Sequence, residues 1–313
     1  MGDRVPATAT GTDIPMPEKT SLARELLLLL LLATCWGSAY TFIKVGIETI
    51  PPVTLIAART LIAGALLVAI LRLRGLCLPK DRAVWGRFLV QACLNSAVPF
   101  TLIAWAEQSV DAGLAVILNS LTPVVTFLIT AFVTRHEAVS SRKLTGVVAG
   151  LTGASLIIGV GALNGLGRDV LAQLAVVTAT VCYACAAIYG KNFKGLDPMM
   201  PAAGSLICGA ALLLPASLVI DHPWTLSPSP SSLVALLALS AFSTSLAFVI
   251  YFRLVHTLGS VATTSQAYLR VPIGVAIGAI FLGERLSLSS WIGLAFVMVG
   301  VIAMTLPGRR AEA

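Results

Sequence analysis

The sequence predicts an all-α integral membrane protein with ten transmembrane helices arranged as two inverted five-helix repeats. Three observations predict it. Of 313 residues, 57% are hydrophobic and 11% charged, with a mean hydropathy of +0.93, whereas soluble globular chains carry roughly 25% charged residues. The Lys and Arg residues fall on alternate connections between apolar runs. The chain also matches itself without gaps when displaced by 147 positions. The first observation alone excludes a water-soluble enzyme, a nucleic-acid binder and a secreted disulfide scaffold.

The opening stretch, MGDRVPATATGTDIPMPEKT, is polar, rich in proline and without period, so residues 1–22 read as a disordered cytoplasmic tail. The first apolar segment opens at Leu26 with seven leucines and runs to about Ile43. It passes unbroken through Leu32-Ala33-Thr34-Cys35, so the weak lipoprotein-like pattern there is not read as a cleavage site. Runs at 53–71, 84–106, 112–133 and 143–162 complete the first five spans. Five more follow at 169–189, 199–220, 232–252, 259–281 and 289–306, each near the roughly 20 residues a bilayer crossing needs. Pro99, Pro123, Pro215 and Pro272 fall inside spans, which membrane helices tolerate when neighbours satisfy the freed backbone groups. The two repeats are placed at 23–163 and 168–307.

Lys and Arg accumulate in cytoplasmic loops. With the N-terminus inside, sixteen of the 21 basic residues are cytoplasmic and three (Lys44, Arg168, Arg285) are outside, while Arg59 and Arg270 lie within spans. Both termini are therefore expected in the cytoplasm, and the net charge of +7 reads as membrane orientation rather than nucleic-acid binding. The Cys182-x-x-Cys185 pair sits in an apolar run, where packing suits free cysteines better than redox chemistry.

The self-match pairs Lys44 with Lys191, Pro51 with Pro198, Ser96 with Ser243, Glu137 with Glu284, Gly146 with Gly293 and Gly153 with Gly300. Trp36 falls on Tyr183 and Trp105 on Phe252. Shared Leu and Ala mean little in two hydrophobic sequences; charged, Pro and Gly matches in one register mean more. Five spans per half is an odd number, so the second half enters from the opposite side, as in many secondary transporters. Two such halves can exchange conformations around a midplane cavity.

Trp36-Gly37-Ser38-Ala39-Tyr40, Ala57-Ala58-Arg59-Thr60-Leu61 and Leu282-Gly283-Glu284-Arg285-Leu286, in that order, resemble the EamA domains of the drug/metabolite transporter superfamily over about residues 25–306. Arg135-His136-Glu137 stands where a Gly-Glu is expected, and Tyr183 replaces the opening tryptophan in the second half. The resemblance implies a ten-helix basket around a central cavity, the fifth and tenth helices packed to one side, that moves small metabolites, often amino acids, usually outward.

Ionisable groups inside spans are costly and face a cavity or a partner. Arg59 lies about six residues into its span, roughly 9 Å deep, and Arg270 is near the middle of the ninth. Both are candidates for a substrate carboxylate or phosphate, which a guanidinium can bind in bidentate fashion. The alternatives are that Arg59 reaches the membrane surface, or that either bonds helix-end carbonyls. In the repeat register Asn119 corresponds to Gln266 and Pro123 to Arg270, and each i, i+4 pair shares one helix face. Asn119 and Gln266 are candidate cavity groups or interhelical hydrogen-bonders. Trp36, Tyr40, Trp105 and Tyr183 are candidate aromatic contacts, against the alternative of filling cores.

Gly146-x-x-x-Gly150 and Gly274-x-x-x-Gly278 allow close helix approach. The first serves either packing within the chain or a homodimer through the fifth or tenth helix; otherwise the chain is a monomer. Glu137 and Glu284 read as loop or cap residues, and Lys44 as an anchor at a span end. All fourteen acids are assigned to tails, loops or span ends, so proton coupling through a membrane carboxylate is not expected, with His136, His222 and His256 a weaker route. No nucleotide loop or metal-ligand spacing is present, and no cofactor is expected. The expected function is a carrier of small polar metabolites, amino acids first, in a bacterial inner membrane, with the substrate and the lipid bilayer as expected partners and no nucleic acid. Phosphorylated or nucleotide-linked sugars are the alternative cargo. A membrane-embedded enzyme is the remote alternative, because no catalytic constellation is found at depth.

Overall fold

The computed structural model describes residues 22–110, 112–134, 140–158, 168–273 and 288–305. Residues 1–21 of the expected N-terminal tail, Glu137, Glu284, the Leu282-to-Leu286 motif and the Gly274/Gly278 pair lie outside them, while Leu22, expected in the tail, is helical.

Among the described residues helix is the only extended regular structure. The polyleucine run forms α1 (Leu22–Gly46), and α2 (Pro52–Leu73) starts where Pro52 presets the first turn without sacrificing an intrahelical donor. It ends in a left-handed glycine, Gly75, whose N–H bonds Arg72 O while Leu76 N–H reaches back to Leu71 O. That reciprocal pair is a Schellman stop. The third rod, α3 (Arg82–Ala106), is capped by the Asp81 carboxylate on the Ala83 N–H at 2.9 Å. After the broken fourth span come α6 (Ser141–Ile158), α7 (Val170–Tyr189), α8 (Met199–Ile220) and α9 (Pro230–Thr257). Six described helices are long and apolar enough to cross a membrane: α1, α2, α3, α7 with its 3-10 extension to Phe193, α8 and α9.

The fourth expected span is not one helix. It is interrupted after α4 (Ala112–Asn119) and resumes as α5 (Thr122–Leu128), because Pro123 lacks the N–H that would continue the ladder. The expected ninth span also breaks, two to three residues earlier in the 147-residue register: α10 (Ser260–Thr264) ends, Ser265 forms a turn, and helix resumes over 266–273. The final described helix is α11 (Leu288–Thr305).

Both α3 and α9 contain a π-turn, at Cys93–Ala97 and Ala241–Leu246. Pro99 removes a donor just after the first. In the second, the Thr244 and Ser245 hydroxyls bond carbonyls five residues back, Leu239 O at 2.7 Å and Ser240 O at 2.9 Å. Such bulges commonly mark functional positions.

Helix bounds recur at the 147-residue spacing: Pro52–Leu73 maps onto Met199–Ile220 and Ser141–Ile158 onto Leu288–Thr305. Each of these equivalent pairs packs together along its length. Between α6 and α11 the surfaces are glycine. A Cβ on Gly146 would lie 2.9 Å from Gly300 O, and one on Gly153 would lie 2.5 Å from Gly293 O. The glycine face of the fifth span is thus used within the chain, against backbone.

Candidate functional site

The two broken helices and the first π-turn line one central cavity, and the second π-turn reaches it through Arg59, which bonds Thr244 and Ser243. Broken helices free backbone groups and bring short polar side chains to the midplane, a recurrent way to build a membrane binding site. Thr263 and Thr264 line the cavity on one side of the ninth-span break and Gln266 on the other; Asn119 and Thr122 flank the fourth-span break.

Arg270 reaches into this cavity from the 266–273 helix. Its Nε donates to Gln266 Oε1 at 2.9 Å, one turn earlier on the same face. Its Nη1 donates to the Tyr40 hydroxyl at 3.3 Å, and its guanidinium carbon lies 5.2 Å from the Trp36 ring centroid. Asn119 Nδ2 donates to the same Tyr40 hydroxyl at 2.7 Å. The Thr122 hydroxyl in turn donates to Asn119 O and Oδ1, fixing the amide's orientation. Tyr40 therefore accepts twice, and its own proton remains for an acceptor in the cavity. A chain of bonds runs from α5 through α1 to the ninth span, holding Arg270 in place.

Arg59 is only 2% exposed, so it does not reach the membrane surface. Its Nε donates to Thr244 Oγ1 at 2.6 Å, and an Nη donates to Ser243 O at 3.4 Å. Both acceptors belong to the second π-turn. The guanidinium also sits 3.8 Å from the Phe100 ring centroid, a cation–π distance.

Three lining donors have no partner among the described residues: Trp36 Nε1, the Tyr251 hydroxyl and Asn95 Nδ2, the last on the first π-turn and 1% exposed. Buried donors are nearly always satisfied. Two arginines and two open N–H groups give the cavity a strong preference for an acceptor-rich, anionic group. Phe100, Ile103, Tyr183 and Tyr251 supply aromatic and apolar walls.

Of the residues singled out from sequence, Trp36, Tyr40, Arg59, Asn119, Tyr183, Gln266 and Arg270 line this cavity. Trp105 does not; it is 42% exposed on the outside of the helix bundle. Sequence reasoning missed Asn95, Phe100, Thr244 and Glu107. Asn95 carried a signal, a polar amide in mid-span, whereas Phe100 and Thr244 are unremarkable residue types that acquire meaning only opposite Arg59. Glu107, assigned to a span end, is 1% exposed and thus buried. The Cys182 and Cys185 thiols are free and half-buried, and no cluster of metal-ligating side chains occurs among the described residues.

Comparison with known proteins gives a consistent picture. The EamA-like transporter family matches residues 23–159 and again residues 170–306. The uncharacterized inner membrane transporter YedA of Escherichia coli K12 is 30% identical over 274 residues, covering 87% of each chain. A probable terminal-alkyne amino-acid exporter of Streptantibioticus cattleyicolor is 26% identical over 297 residues, 93% of this chain and 97% of its own. One solved crystal structure shares the fold, with a TM-score of 0.77 at 19% identity over 94% of this chain and all of the other.

Proposed function

The chain belongs to the EamA-like transporter family, and we propose that it is a secondary carrier of small polar metabolites, most suitably amino acids, working by alternating access through the central cavity. The observation that carries this reading is the N–H-rich edge of the cavity, to which Arg59, Arg270, Trp36 Nε1 and Asn95 Nδ2 contribute. A substrate carboxylate meets that edge, Arg270 offering bidentate geometry. A substrate ammonium group finds the faces of Trp36 and Tyr183 and the threonine hydroxyls around the ninth-span break. The amino-acid exporter among the relatives supports the same cargo class.

Alternating access rests on the two halves being inverted five-helix partners. The glycine contacts support that arrangement: Gly146 meets Gly300 while their repeat equivalents, Gly293 and Gly153, meet each other. A two-fold axis in the membrane plane produces such an exchange. The basic-residue distribution supports both termini lying in the cytoplasm, in an inner membrane like that of YedA.

The test is uptake into proteoliposomes holding the purified protein, with a radiolabelled panel of amino acids and sugar phosphates, with and without a pH gradient. Saturable, self-competed amino-acid uptake is expected. Uptake restricted to sugar phosphates, or none above empty liposomes, overturns the proposal.

A further inference from the structure

Ile43 and Ile103 are the last residues of α1 and α3 to line the cavity. Lys44 follows the first of these directly, and Glu107 lies one helical turn beyond the second, just past Ala106, the last residue of the third span. The Lys44 amine donates to the Glu107 backbone carbonyl at 3.2 Å, so the two residues meet at one end of the cavity. Lys44 is exposed there, whereas Glu107 is 1% exposed. Neither Glu107 carboxylate oxygen has a hydrogen-bond partner among the described residues.

An ionised carboxylate is not stable in such surroundings. Ala106, Val110, Ala172, Ala175 and Val176 form the apolar cluster at this end, and a buried charge without donors takes up a proton instead. Burial pushes the Glu107 carboxyl up to about 8, while the Lys44 and Arg59 cations pull it the other way. From α1 the charged or titratable neighbours are Lys44 and Tyr40, and from α2 Arg59. The facing helix α7 contributes the Tyr183 phenol to the same cluster. The one charged group whose surroundings are solvent-facing is Lys44.

We propose that Glu107 is a proton-binding site of this carrier, neutral while its end of the cavity is closed and ionised against Lys44 when water reaches it. On opening, the carboxyl O–H bond breaks, the electron pair stays on the carboxylate, and the proton passes to water as hydronium; on closing, desolvation draws a proton back. Unlike Glu25, a buried acid of α1 that is paired with Arg253 and accepts from Thr257, Glu107 has no partner for its carboxylate among the described residues and so can change charge with the state of the cavity. Its use in the transport cycle rests on the carrier reading above. The protonation itself does not.

The test needs no substrate. Infrared difference spectra of the purified protein in lipid nanodiscs, taken from about pH 6 to about pH 10, report the protonated-carboxyl band. Expected is a band that disappears with a midpoint near 8, is missing in Glu107→Gln, and titrates about one pH unit or more higher in Lys44→Met, where the counter-charge is gone. Glu107→Asp serves if the glutamine variant does not fold, and should move both band and midpoint. No titrating band in this range overturns the proposal. So does a band that persists in Glu107→Gln or keeps its wild-type position in Glu107→Asp, or a midpoint unmoved in Lys44→Met. Because the titration is independent of cargo, its failure leaves the carrier reading intact, and a failed uptake panel leaves the proton site intact.

Discussion

Arg270 donates a hydrogen bond to the hydroxyl of Tyr40 across 3.3 Å, joining the 266–273 helix to α1. That bond ties together two halves of the sequence 230 residues apart. It also presents the guanidinium to the cavity at a fixed angle, beside the Trp36 ring.

Arg270→Ala is therefore expected to abolish transport while leaving expression and membrane insertion intact, because the side chain is part-exposed to the cavity rather than sealed in a core. Tyr40→Phe keeps the ring and removes the acceptor. A hydrogen bond to a charged group is worth about 1.5–3 kcal/mol, so the KM should rise roughly tenfold or more with kcat little changed. Uptake kinetics in proteoliposomes check both; wild-type rates in Arg270→Ala would remove it from the site.

Arg59 depends on the second π-turn. Thr244→Val deletes the acceptor of the 2.6 Å bond and leaves a buried cation short of a partner. A stability loss of about 1–3 kcal/mol is expected, together with weaker transport. Ser243→Ala should cost much less, since Arg59 uses the Ser243 backbone carbonyl. Thermal unfolding midpoints in detergent compare the two, and equal losses would contradict the assignment.

The α6–α11 contact admits no side chain. In Gly153→Ala the new Cβ would stand 2.5 Å from Gly293 O and 2.6 Å from Val297 N, both backbone atoms. The helices must separate, at a cost of about 1–3 kcal/mol for overpacking. Gly86→Ala is the control: nothing lies within 4 Å of its Cβ, and helix propensity alone favours the alanine by about 1 kcal/mol. Unfolding midpoints should move in opposite directions.

Glu107 also predicts a pH dependence of stability. Its carboxyl rises from 4.5 in the unfolded chain to about 8 in the folded one, so between these values the native state holds a proton that the unfolded state has lost. Stability then falls as pH rises through that window and levels off above it. In Glu107→Gln this component of the slope should vanish. Chemical-denaturation midpoints at stepped pH measure it, and parallel curves for the two proteins would count against a raised carboxyl.

The relation of sequence to structure differs from residue to residue. Apolar run length and the scarcity of charge announce a membrane protein, because a bilayer core imposes about 20 apolar residues per crossing whatever the cargo. Arg59, Arg270, Asn119 and Gln266 announce themselves likewise, since polar groups at depth need a reason to be there. The break in the fourth span had a visible cause in Pro123. The break at Ser265 has no such marker, and the 147-residue register would put it at 267–268 instead.

What tertiary structure alone decided is which groups meet. Thr244 and Phe100 become the seat of Arg59 because a π-turn rotates one helix and another helix brings a ring within 3.8 Å. Trp105, aromatic and in register with Phe252, faces outward, because helical phase rather than residue type selects the face. Glu107 sits at the end of a span by count yet is sealed by neighbouring helices, since burial depends on what packs alongside and not on distance along the chain. The sequence by itself determined the solvent and the scarce polar groups. Only the folded bundle decided their partners, because hydrogen bonds and desolvation act over a few ångströms between residues that lie up to 230 positions apart.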